Sequence, residues 1–299
     1  MRLRQIEVFH AVYSCGSVTR AAEVLNVSQP SVSKVLAHAE QQLGYPLFDR
    51  VRGKLVPTPE ADRLFSHVST VYDSVDRLRQ VAENLKSAES GRIRIAATPA
   101  FGIDLLPKAI ASFQKTHANV VFVVETLHHD GICDALLESR LDIGLAFDPV
   151  AVPGVAETVL EHGQFVVLAN DDVVFGKKKS ISVNDIAGQP FIKLDSKGPL
   201  GQLLSTHIDS SGVELNTVAY CETYHVAKAL VSYGSGVTIT DDITAHASGH
   251  ENVRLWPFEP ALQFRISSLA FDAAPLSQVA QKFVEHLGEC IRDYLKPDS

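Results

Sequence analysis

The sequence predicts an α/β protein with a small helical N-terminal part, a long connecting helix and a larger C-terminal region of alternating strands and helices. Three observations predict this division. Two short amphipathic segments joined by a polar turn occupy residues 17–43, a narrow apolar repeat runs from residue 64 to residue 85, and strand-like and helix-like segments alternate from residue 91 onward. A chain of 299 residues is long enough for a small domain and a larger one. The predicted boundaries are 1–58, 59–90 and 91–299.

Residues 17–43 have the pattern of two short helices joined by a tight turn. Ser17 and Ser28 can cap the two helices, and Pro30 falls in the first turn of the second helix, where a missing N–H costs little. This is the layout of a helix-turn-helix, whose second helix enters the major groove of DNA. An ordinary helical hairpin with a solvated polar face is the alternative. The apolar face of the second helix comprises Val32, Val35, Leu36, Ala39 and Leu43.

The polar side of the second helix and the segment that follows it carry groups that can contact DNA. Polar side chains near the start of the helix can form hydrogen bonds with base edges or phosphates. Three cations then alternate around a glycine turn at residues 50–54, as expected for a β-wing lying along a phosphate backbone. An exposed hairpin with solvated cations is the alternative. The predicted DNA contacts are Gln29, Pro30, Ser31, Ser33, Lys34, Arg50, Arg52 and Lys54.

Together these N-terminal residues resemble the DNA-binding domain of the LysR-type transcriptional regulators. Ala61 stands where the family usually has glycine, at the bend into the next helix. The start of the chain and the wing look closest to the regulator of lysine biosynthesis for which the family is named. The resemblance is motif-specific over about the first 60 residues and is carried by Phe9-His10-Ala11-Val12, Ala21-Ala22, Ser28-Gln29-Pro30-Ser31-Val32-Ser33, Leu47-Phe48, Arg50-Val51-Arg52-Gly53 and Pro57-Thr58.

The resemblance implies a winged helix-turn-helix, a linker helix and a C-terminal effector-binding region of two α/β subdomains similar to periplasmic binding proteins. It also implies the partners: a double-stranded DNA operator, a small-molecule effector, RNA polymerase, and further copies of the chain in a homodimer and a homotetramer. The sequence leaves activation and repression open.

Residues 58 to about 89 form the predicted connecting helix, because they contain no glycine and only one proline, Pro59. Apolar residues repeat at alternating spacings of four and three, which is typical of a heptad seam. So narrow a stripe buries too little surface to fold alone, and therefore predicts a partner helix. A long helix packed on its own C-terminal region is the alternative. The predicted dimer contacts are Leu64, Val68, Val71, Val75, Leu78 and Leu85.

The charge distribution agrees with this division. Residues 1–57 contain seven Lys or Arg against four Asp or Glu, a net charge of +3, whereas residues 91–299 contain 16 against 25, a net charge of −9. Because the acidic majority would repel DNA, we expect contact with nucleic acid only at the N-terminal end.

The cysteines and the hydropathy pattern indicate a reduced cytoplasmic compartment. Cys15, Cys133, Cys221 and Cys290 show no paired spacing, which argues for free thiols and against disulfides or a zinc site. Neither a signal peptide nor a long apolar run is present. We therefore expect a soluble, cytoplasmic protein with no membrane contact.

From residue 91 onward the pattern is that of an α/β region. Near-continuous apolar runs, such as residues 120–124, predict strands covered on both faces of a sheet. Strands are predicted at 92–97, 120–125, 142–147, 165–169, 191–194, 218–221, 237–240 and 264–271, and helices at 105–116, 131–138, 200–210, 226–232 and 276–294.

Ligands of such sheets lie beyond the carboxyl ends of strands, near helix N-termini that favour anions. Thr98 follows the first strand of the region, and its hydroxyl with the next backbone N–H groups could bind a carboxylate. Thr98 and Ser196 match positions at which LysR-type proteins commonly hold their effector. A helix cap or a surface loop is the alternative for each. The predicted effector contacts are Thr98, Ala100, Phe101, Thr126, Phe147, Ser196 and Thr223.

Acidic residues at strand ends could bind an ammonium group. Together with the helix N-termini they predict a zwitterionic effector such as an amino acid, with a small carboxylate as the broader class. The acidic residues are Glu125, Asp148, Asp195 and Glu222.

Enzymatic interpretations are the weakest. The segments His128-His129-Asp130 and Asp241-Asp242 are predicted to be solvated loops, since no third metal ligand at a recognisable spacing, phosphate-binding loop, GxSxG or HExxH motif accompanies them. The sequence therefore predicts no catalytic residue, cofactor or metal. A DNA-binding architectural protein without an effector is the second alternative.

Overall fold

The computed structural model of the chain describes residues 1–51, 54–84, 90–173, 175–195, 197–249 and 252–296. The chain forms two compact units, Met1–Ala82 and Glu83–Ser299. Three predicted site residues, Arg52, Leu85 and Ser196, lie outside the described residues. Within the described ranges, no helix is both long and apolar enough to cross a bilayer.

The N-terminal unit is the predicted winged helix-turn-helix followed by a long helix. Ser17 caps the second helix, since its Oγ accepts from the Arg20 N–H at 3.4 Å. Ser28 stands at the cap of the third helix, but its side chain makes no capping bond. The elements are α1 (Leu3–Cys15), α2 (Val18–Val24), α3 (Gln29–Leu43), β1 (Phe48–Val51), β2 (Lys54–Pro57) and α4 (Pro59–Asn84).

Polar side chains hold the wing and the long helix on the three-helix core. Glu40 on α3 accepts from the Leu47 N–H at 2.8 Å, which fixes the start of the wing. Thr58 donates to the Pro46 carbonyl at 3.0 Å and accepts from the Ala61 N–H at 3.2 Å. Ala61, which stands where the family usually has glycine, is fully buried in the first turn of α4.

Helix α4 uses the first part of the predicted seam inside its own unit. Leu64 and Val68 pack against the core of the three helices, and Val68 is only 4% exposed. The apolar surface of Val68 is therefore already covered within its own unit, whereas Leu64 is half-buried, and the role of both residues in a dimer stays a prediction. Further along α4, Val71 is 43% exposed and Leu78 is 71% exposed.

The C-terminal unit is the predicted α/β region. Its elements are β3 (Ser90–Ala97), α5 (Pro99–Gly102), α6 (Leu105–Gln114), β4 (Asn119–Thr126), α7 (His129–Leu137), β5 (Ile143–Phe147), β6 (Val155–Asn170), β7 (Ile181–Ser182), α8 (Val183–Ile186), β8 (Pro190–Leu194), α9 (Pro199–Ser210), β9 (Asn216–Cys221), α10 (Tyr224–Ser232), β10 (Thr238–Asp241), α11 (Asp242–His246), β11 (Val253–Glu259), β12 (Gln263–Phe271) and α12 (Gln278–Tyr294).

These strands form two lobes. The long sheet has the order β4-β3-β5-β12-β6-β11-β7, with β10 also on β6, while β8 pairs with β9. We call β3, β4, β5 and β12 with α5, α6, α7 and α12 the first lobe, and β7 to β11 with α8 to α11 the second lobe. Strands β3, β4 and β5 are parallel, so their carboxyl ends share one edge.

Strand β6 connects the lobes. Its residues up to Gln164 pair with β12, whereas those from Phe165 onward pair with β10 and β11. We call residues 163–164 the crossing point. Gly163 is required there, since an added Cβ would lie 2.4 Å from Cε2 of Phe264 and 2.8 Å from Oδ1 of Asp242. The prediction of a strand at 165–169 found only the second half of β6.

Strand β4 differs from its prediction. Val121 is 56% exposed and Val124 is 48% exposed, so this apolar run is not covered on both faces. Over the described residues, β4 is the end strand of the long sheet and has β3 as its neighbour.

Candidate functional site

The predicted DNA-reading residues lie together at the start of α3. Gln29, Pro30, Ser31 and Lys34 are exposed and Ser33 is half-buried. Gln29 Nε2 donates to Ser33 Oγ at 2.9 Å, so these two polar groups are aligned one helical turn apart. Side chains of this type and placement can form hydrogen bonds with base edges.

A groove of about 510 Å³ brings the wing next to this helix. Arg50 and Lys54 lie on the two antiparallel strands of the wing, and they line the groove with Gln29. Arg20 in the first turn of α2 also lines it and is exposed. The sequence analysis did not predict Arg20 as a DNA contact. Its place in the first turn after the Ser17 cap could have indicated it. Three cations around a polar helix start form a surface suited to a phosphate backbone.

The second site is a cavity of about 280 Å³ in the C-terminal unit. Its walls come from strand ends of both lobes, as the rule for open α/β sheets predicts. The first lobe contributes Thr98, Pro99, Ala100, His128, His129, Asp130 and Phe147, and the second contributes Asp195, Lys197, Gly198, Pro199, Leu200, Gly201, Glu222, Thr223 and Tyr224.

Three helices of nine or more residues begin at this cavity: α7, α9 and α10. The first N–H groups of a helix have no partner inside the helix, and the helix dipole adds a partial positive charge there. Convergence of three such ends on one cavity favours an anionic group in it.

Side chains of both signs surround the cavity. Lys197 Nζ lies 3.1 Å from Asp195 Oδ2, and the hydrogen bond with that carboxylate raises the pKa of Lys197. His128 Nε2 of the first lobe lies 3.9 Å from Glu222 Oε1 of the second, so this pair spans the two lobes. The cavity therefore offers partners for both charges of a zwitterion.

Two residues of the cavity wall have hydroxyl groups that are buried and have no hydrogen-bond partner among the described residues. They are Oγ1 of Thr98 and the phenol of Tyr224. Burial raises the pKa of Tyr224 well above its usual value, so the phenol keeps its proton. Tyr224 is a second residue that sequence reasoning missed.

The structure places four of the predicted effector contacts in the cavity wall: Thr98, Ala100, Phe147 and Thr223. Phe101 and Thr126 are not among the described lining residues. Phe101 is fully buried in the core, where its ring packs against that of Phe147 at a centroid distance of 4.3 Å and an interplanar angle of 39°.

The predicted acidic partners divide in the same way. Asp195 and Glu222 line the cavity, whereas Glu125 and Asp148 do not appear among the described lining residues. Asp148 instead accepts from Arg265 Nε at 3.0 Å.

All three residues 128–130 line the cavity; His128 and Asp130 are exposed as predicted, whereas the interpretation as a solvated loop is wrong for His129, which is buried at the start of α7. His129 is 7% exposed, and its Nε2 accepts from the Val150 N–H at 3.0 Å while Nδ1 lies 3.4 Å from Cys133 Sγ. Its two ring nitrogens are thus engaged by the fold. Over the described ranges, no three His, Cys, Asp or Glu side chains are grouped to hold a metal ion.

Asp241 and Asp242 are buried at the crossing point, so their interpretation as a solvated loop is also wrong. Asp241 is fully buried and caps α11 by accepting from the Thr244 N–H at 2.7 Å. Asp242 accepts from the Gln164 N–H through Oδ2 at 2.8 Å, while Oδ1 finds no partner in the described part of the chain. Burial, and then the charge of Asp241, raise the pKa of Asp242 to about 7.

A DNA-reading surface in one unit and a small-molecule cavity in the other define the class as a ligand-responsive DNA-binding regulator. Comparison with known families places the chain within that class. The model of the bacterial regulatory helix-turn-helix protein, lysR family, matches residues 3–62, and that of the LysR substrate binding domain matches residues 86–291. The chain belongs to the LysR family of transcriptional regulators.

Named relatives agree with this assignment. The HTH-type transcriptional regulator DgcR of a Pseudoalteromonas species is 40% identical, over 97% of this chain and 100% of the relative. The regulator AdmX of Serratia plymuthica is 32% identical, over 99% and 94% of the two chains. The transcriptional activator protein LysR of Escherichia coli is 30% identical, over 96% and 92%.

Solved structures show the same fold. Full-length CbnR complexed with its target DNA superposes with a TM-score of 0.70 at 16% identity, covering 97% of this chain and 100% of that one. The structure of CbnR alone superposes with a TM-score of 0.68 at 18% identity, covering 99% of this chain and 100% of that one. The predicted architecture, a winged helix-turn-helix with a two-lobed α/β effector region, is confirmed.

Proposed function

We propose that this LysR-type regulator binds operator DNA as a dimer, with pairs of dimers forming a tetramer, and responds to an amino acid or small carboxylate held between its lobes. The observation that carries the proposal is the cavity in which helix N-termini of both lobes converge among side chains of both signs. Binding there would draw the lobes together and change the placement of the DNA-reading units, and so the access of RNA polymerase.

The size of the cavity supports a small effector. Pockets for drug-sized ligands have volumes of about 300–1,000 Å³, and this one has about 280 Å³. Regulation rather than catalysis is the proposed activity, since the His129 ring that an enzymatic interpretation would use is held by Val150 and Cys133.

A thermal-shift panel on the full chain tests the effector class. The panel contains the common amino acids and, as matched probes, carboxylic acids that lack the amino group, such as succinate and glutarate. A ligand present at 100 times its Kd stabilises the native state by about 2.7 kcal/mol, so a true effector shifts the melting temperature visibly. A shift with plain acids and none with amino acids would exclude the zwitterion. No shift with any probe would contradict the effector proposal.

Two substitutions separate phosphate contacts from base contacts in the proposed DNA surface. Arg50→Ala should weaken binding to all sequences alike and reduce the slope of log K against log salt by about 0.9, the value for one phosphate contact. Ser33→Ala should instead change the ratio of affinities between operator variants, at a cost of about 1–3 kcal/mol at the base it reads.

Fluorescence anisotropy with labelled duplexes at several salt concentrations measures both effects. Lys282→Ala, which removes an exposed cation of the C-terminal unit, is the control and should leave both quantities unchanged. Equal losses on every duplex for Ser33→Ala would contradict its role in base reading.

The proposed dimer uses the exposed part of α4, from Val71 onward. Val71→Asp should dissociate the dimer, because it places a charge in the middle of an apolar helix pair, and operator affinity should fall with it. Sedimentation velocity measures the change in mass. Ser66→Asp adds the same charge on the opposite side of α4, where Ser66 is exposed, and should leave the dimer intact. An unchanged mass for a folded Val71→Asp variant would show that this seam is not the interface.

A further inference from the structure

Four aromatic rings connect helix α1 to helix α4 in the N-terminal unit. His10 of α1 stacks on Tyr72 of α4, with centroids 4.2 Å and planes 8° apart, and on Phe65 of α4 at 5.4 Å and 14°. Tyr13 of α1 stacks on Phe65 at 3.8 Å and 13°. Phe65 and Tyr72 are about 10.5 Å apart along their helix, so the His10 ring lies between them. We call these four rings the ring stack.

The ring stack is anchored in the core of the unit. Phe9 is fully buried and meets Tyr13 edge to face at 5.9 Å and Phe65 at 6.3 Å. Its ring also lies 5.8 Å from that of Phe48, the first residue of the wing. The Tyr13 hydroxyl donates to Oδ1 of Asp62 on α4 at 2.8 Å. Stacked and edge-to-face pairs are the favoured arrangements of aromatic rings, so the stack connects the core and the wing to α4.

This arrangement restricts how α1 can move against α4. Because His10 lies between two rings of α4, sliding or rotation of either helix would separate stacked faces. The contact runs from Asp62 to Tyr72, which is about 15 Å along α4. Tyr72 directly follows Val71, the 43% exposed residue at which the proposed dimer seam begins. The ring stack therefore ends where contact with a second copy would start.

The angle at which α4 leaves the DNA-reading helix matters in a dimer. A dimer joined through α4 holds two copies of α3 at one separation, and the half-sites of the operator must match it. One added base pair moves a half-site by about 3.4 Å along the axis and rotates it by about 34°. A stiff connection between α1 and α4 would reject that change, whereas a flexible one would follow it.

We propose that the ring stack fixes the angle between α4 and the reading head, which comprises α1 to α3 and the wing, and thereby selects the spacing of the two half-sites that a dimer binds at once. This rests on the proposed dimer and adds to it the part of the chain that determines operator geometry. The four ring residues are positioning residues, since they act through the placement of α3.

Tyr72→Leu tests the inference, because it removes the end ring of the stack and keeps an apolar residue that favours a helix. The full wild-type chain first selects its preferred duplex from a random library. Insertion or deletion of one or two base pairs between the half-sites of that duplex then gives a spacing series, and fluorescence anisotropy gives Kd for each member. We expect one added base pair to raise Kd about tenfold or more for wild type and about threefold or less for Tyr72→Leu.

Three further variants identify the ring as the cause. His10→Leu removes the neighbouring ring from α1 and should relax the spacing in the same way. Tyr72→Phe keeps the ring and should retain the wild-type preference. His67→Leu makes the same change to leucine at an exposed position of α4 and should also behave as wild type.

The possible failures are distinct. Equal preference for spacing in wild type and Tyr72→Leu would overturn the inference and leave the dimer in place. An equal loss of affinity on every duplex, including one with a single half-site, would assign Tyr72 to the fold of the head and also overturn it. A lower mass of Tyr72→Leu in sedimentation velocity would assign the ring to the dimer contact instead. If wild type binds every spacing equally, the reading of two half-sites by a dimer fails, and this inference fails with it.

Discussion

Replacing Asp242 with asparagine is expected to reduce a pH dependence of stability that the wild-type chain shows between about pH 4 and pH 7, to which Asp241, whose pKa burial also raises, contributes in the same direction. The Asp242 carboxyl is 5% exposed, contacts the crossing strand through Oδ2, and has an unpartnered Oδ1. An ionised group in that position would place a buried negative charge beside Asp241. The neutral acid avoids this cost, and its asparagine isostere does so at every pH.

The sign follows from proton binding. The pKa of Asp242 rises from 3.8 to about 7 on folding, so between these values the native state holds a proton that the unfolded chain has lost. Stability contributed by this group is therefore complete below about pH 4 and is lost as pH rises through 7. Each tenfold difference in proton affinity between the folded and unfolded chain is worth about 1.4 kcal/mol, so the loss amounts to about 4 kcal/mol by pH 8.

Thermal melts of wild type and Asp242→Asn from pH 4.5 to pH 8 measure this effect. The variant should be similar to wild type at the acid end and more stable at pH 8. Hydrogen exchange of the Gln164 amide gives a local readout, since its N–H donates to Asp242. Asp272→Asn, at an exposed acid, is the control. Parallel pH profiles for wild type and Asp242→Asn would show that Asp242 does not hold a proton in the native state.

Local sequence patterns were sufficient for the N-terminal unit. The Ser17 cap, the small residues of the helix turn and the cations of the wing all act within a few positions of each other, and the structure shows the elements they predict, although Ser28 makes no capping bond. Val68 is the instructive exception. Its heptad spacing is correct, but whether it faces a partner or its own core depends on α1 and α3, which local spacing does not encode.

The cavity was predictable only in outline. Thr98, Phe147 and Thr223 lie at strand ends, and strand ends can be read from hydropathy. Tyr224 was missed because it joins the cavity wall only when α10 is placed beside α5, a contact between segments about 125 residues apart. Asp241 and Asp242 were assigned to a loop for the same reason: two acids after a strand look solvated until β6 and β12 enclose them.

Replacing Lys228 with methionine is expected to destabilise the C-terminal unit by about 3 kcal/mol or more, since a buried carbonyl left without its partner costs about 1–3 kcal/mol. Lys228 is 3% exposed, and its ammonium group donates to the carbonyls of Thr244, Ala245 and Ala247. It thereby satisfies the C-terminal end of α11, the helix that Asp241 caps at its other end.

Burial lowers the pKa of Lys228, so the ammonium itself is costly to bury, and its value to the fold lies in its hydrogen bonds to the three carbonyls, of which that of Thr244 also accepts from the Ala247 N–H at 3.3 Å. Methionine is similar in length to lysine but donates no hydrogen bond. The substitution therefore removes the hydrogen bonds to the carbonyls and changes the packing little. Lys282→Met, at an exposed position of α12, controls for loss of a charge. The melting temperature and the exchange of amides in residues 242–247 are the measurements. If both variants lose equally little stability and the α11 amides remain protected, the carbonyls must be satisfied without Lys228, and α11 does not depend on this cation for its position beside the crossing point.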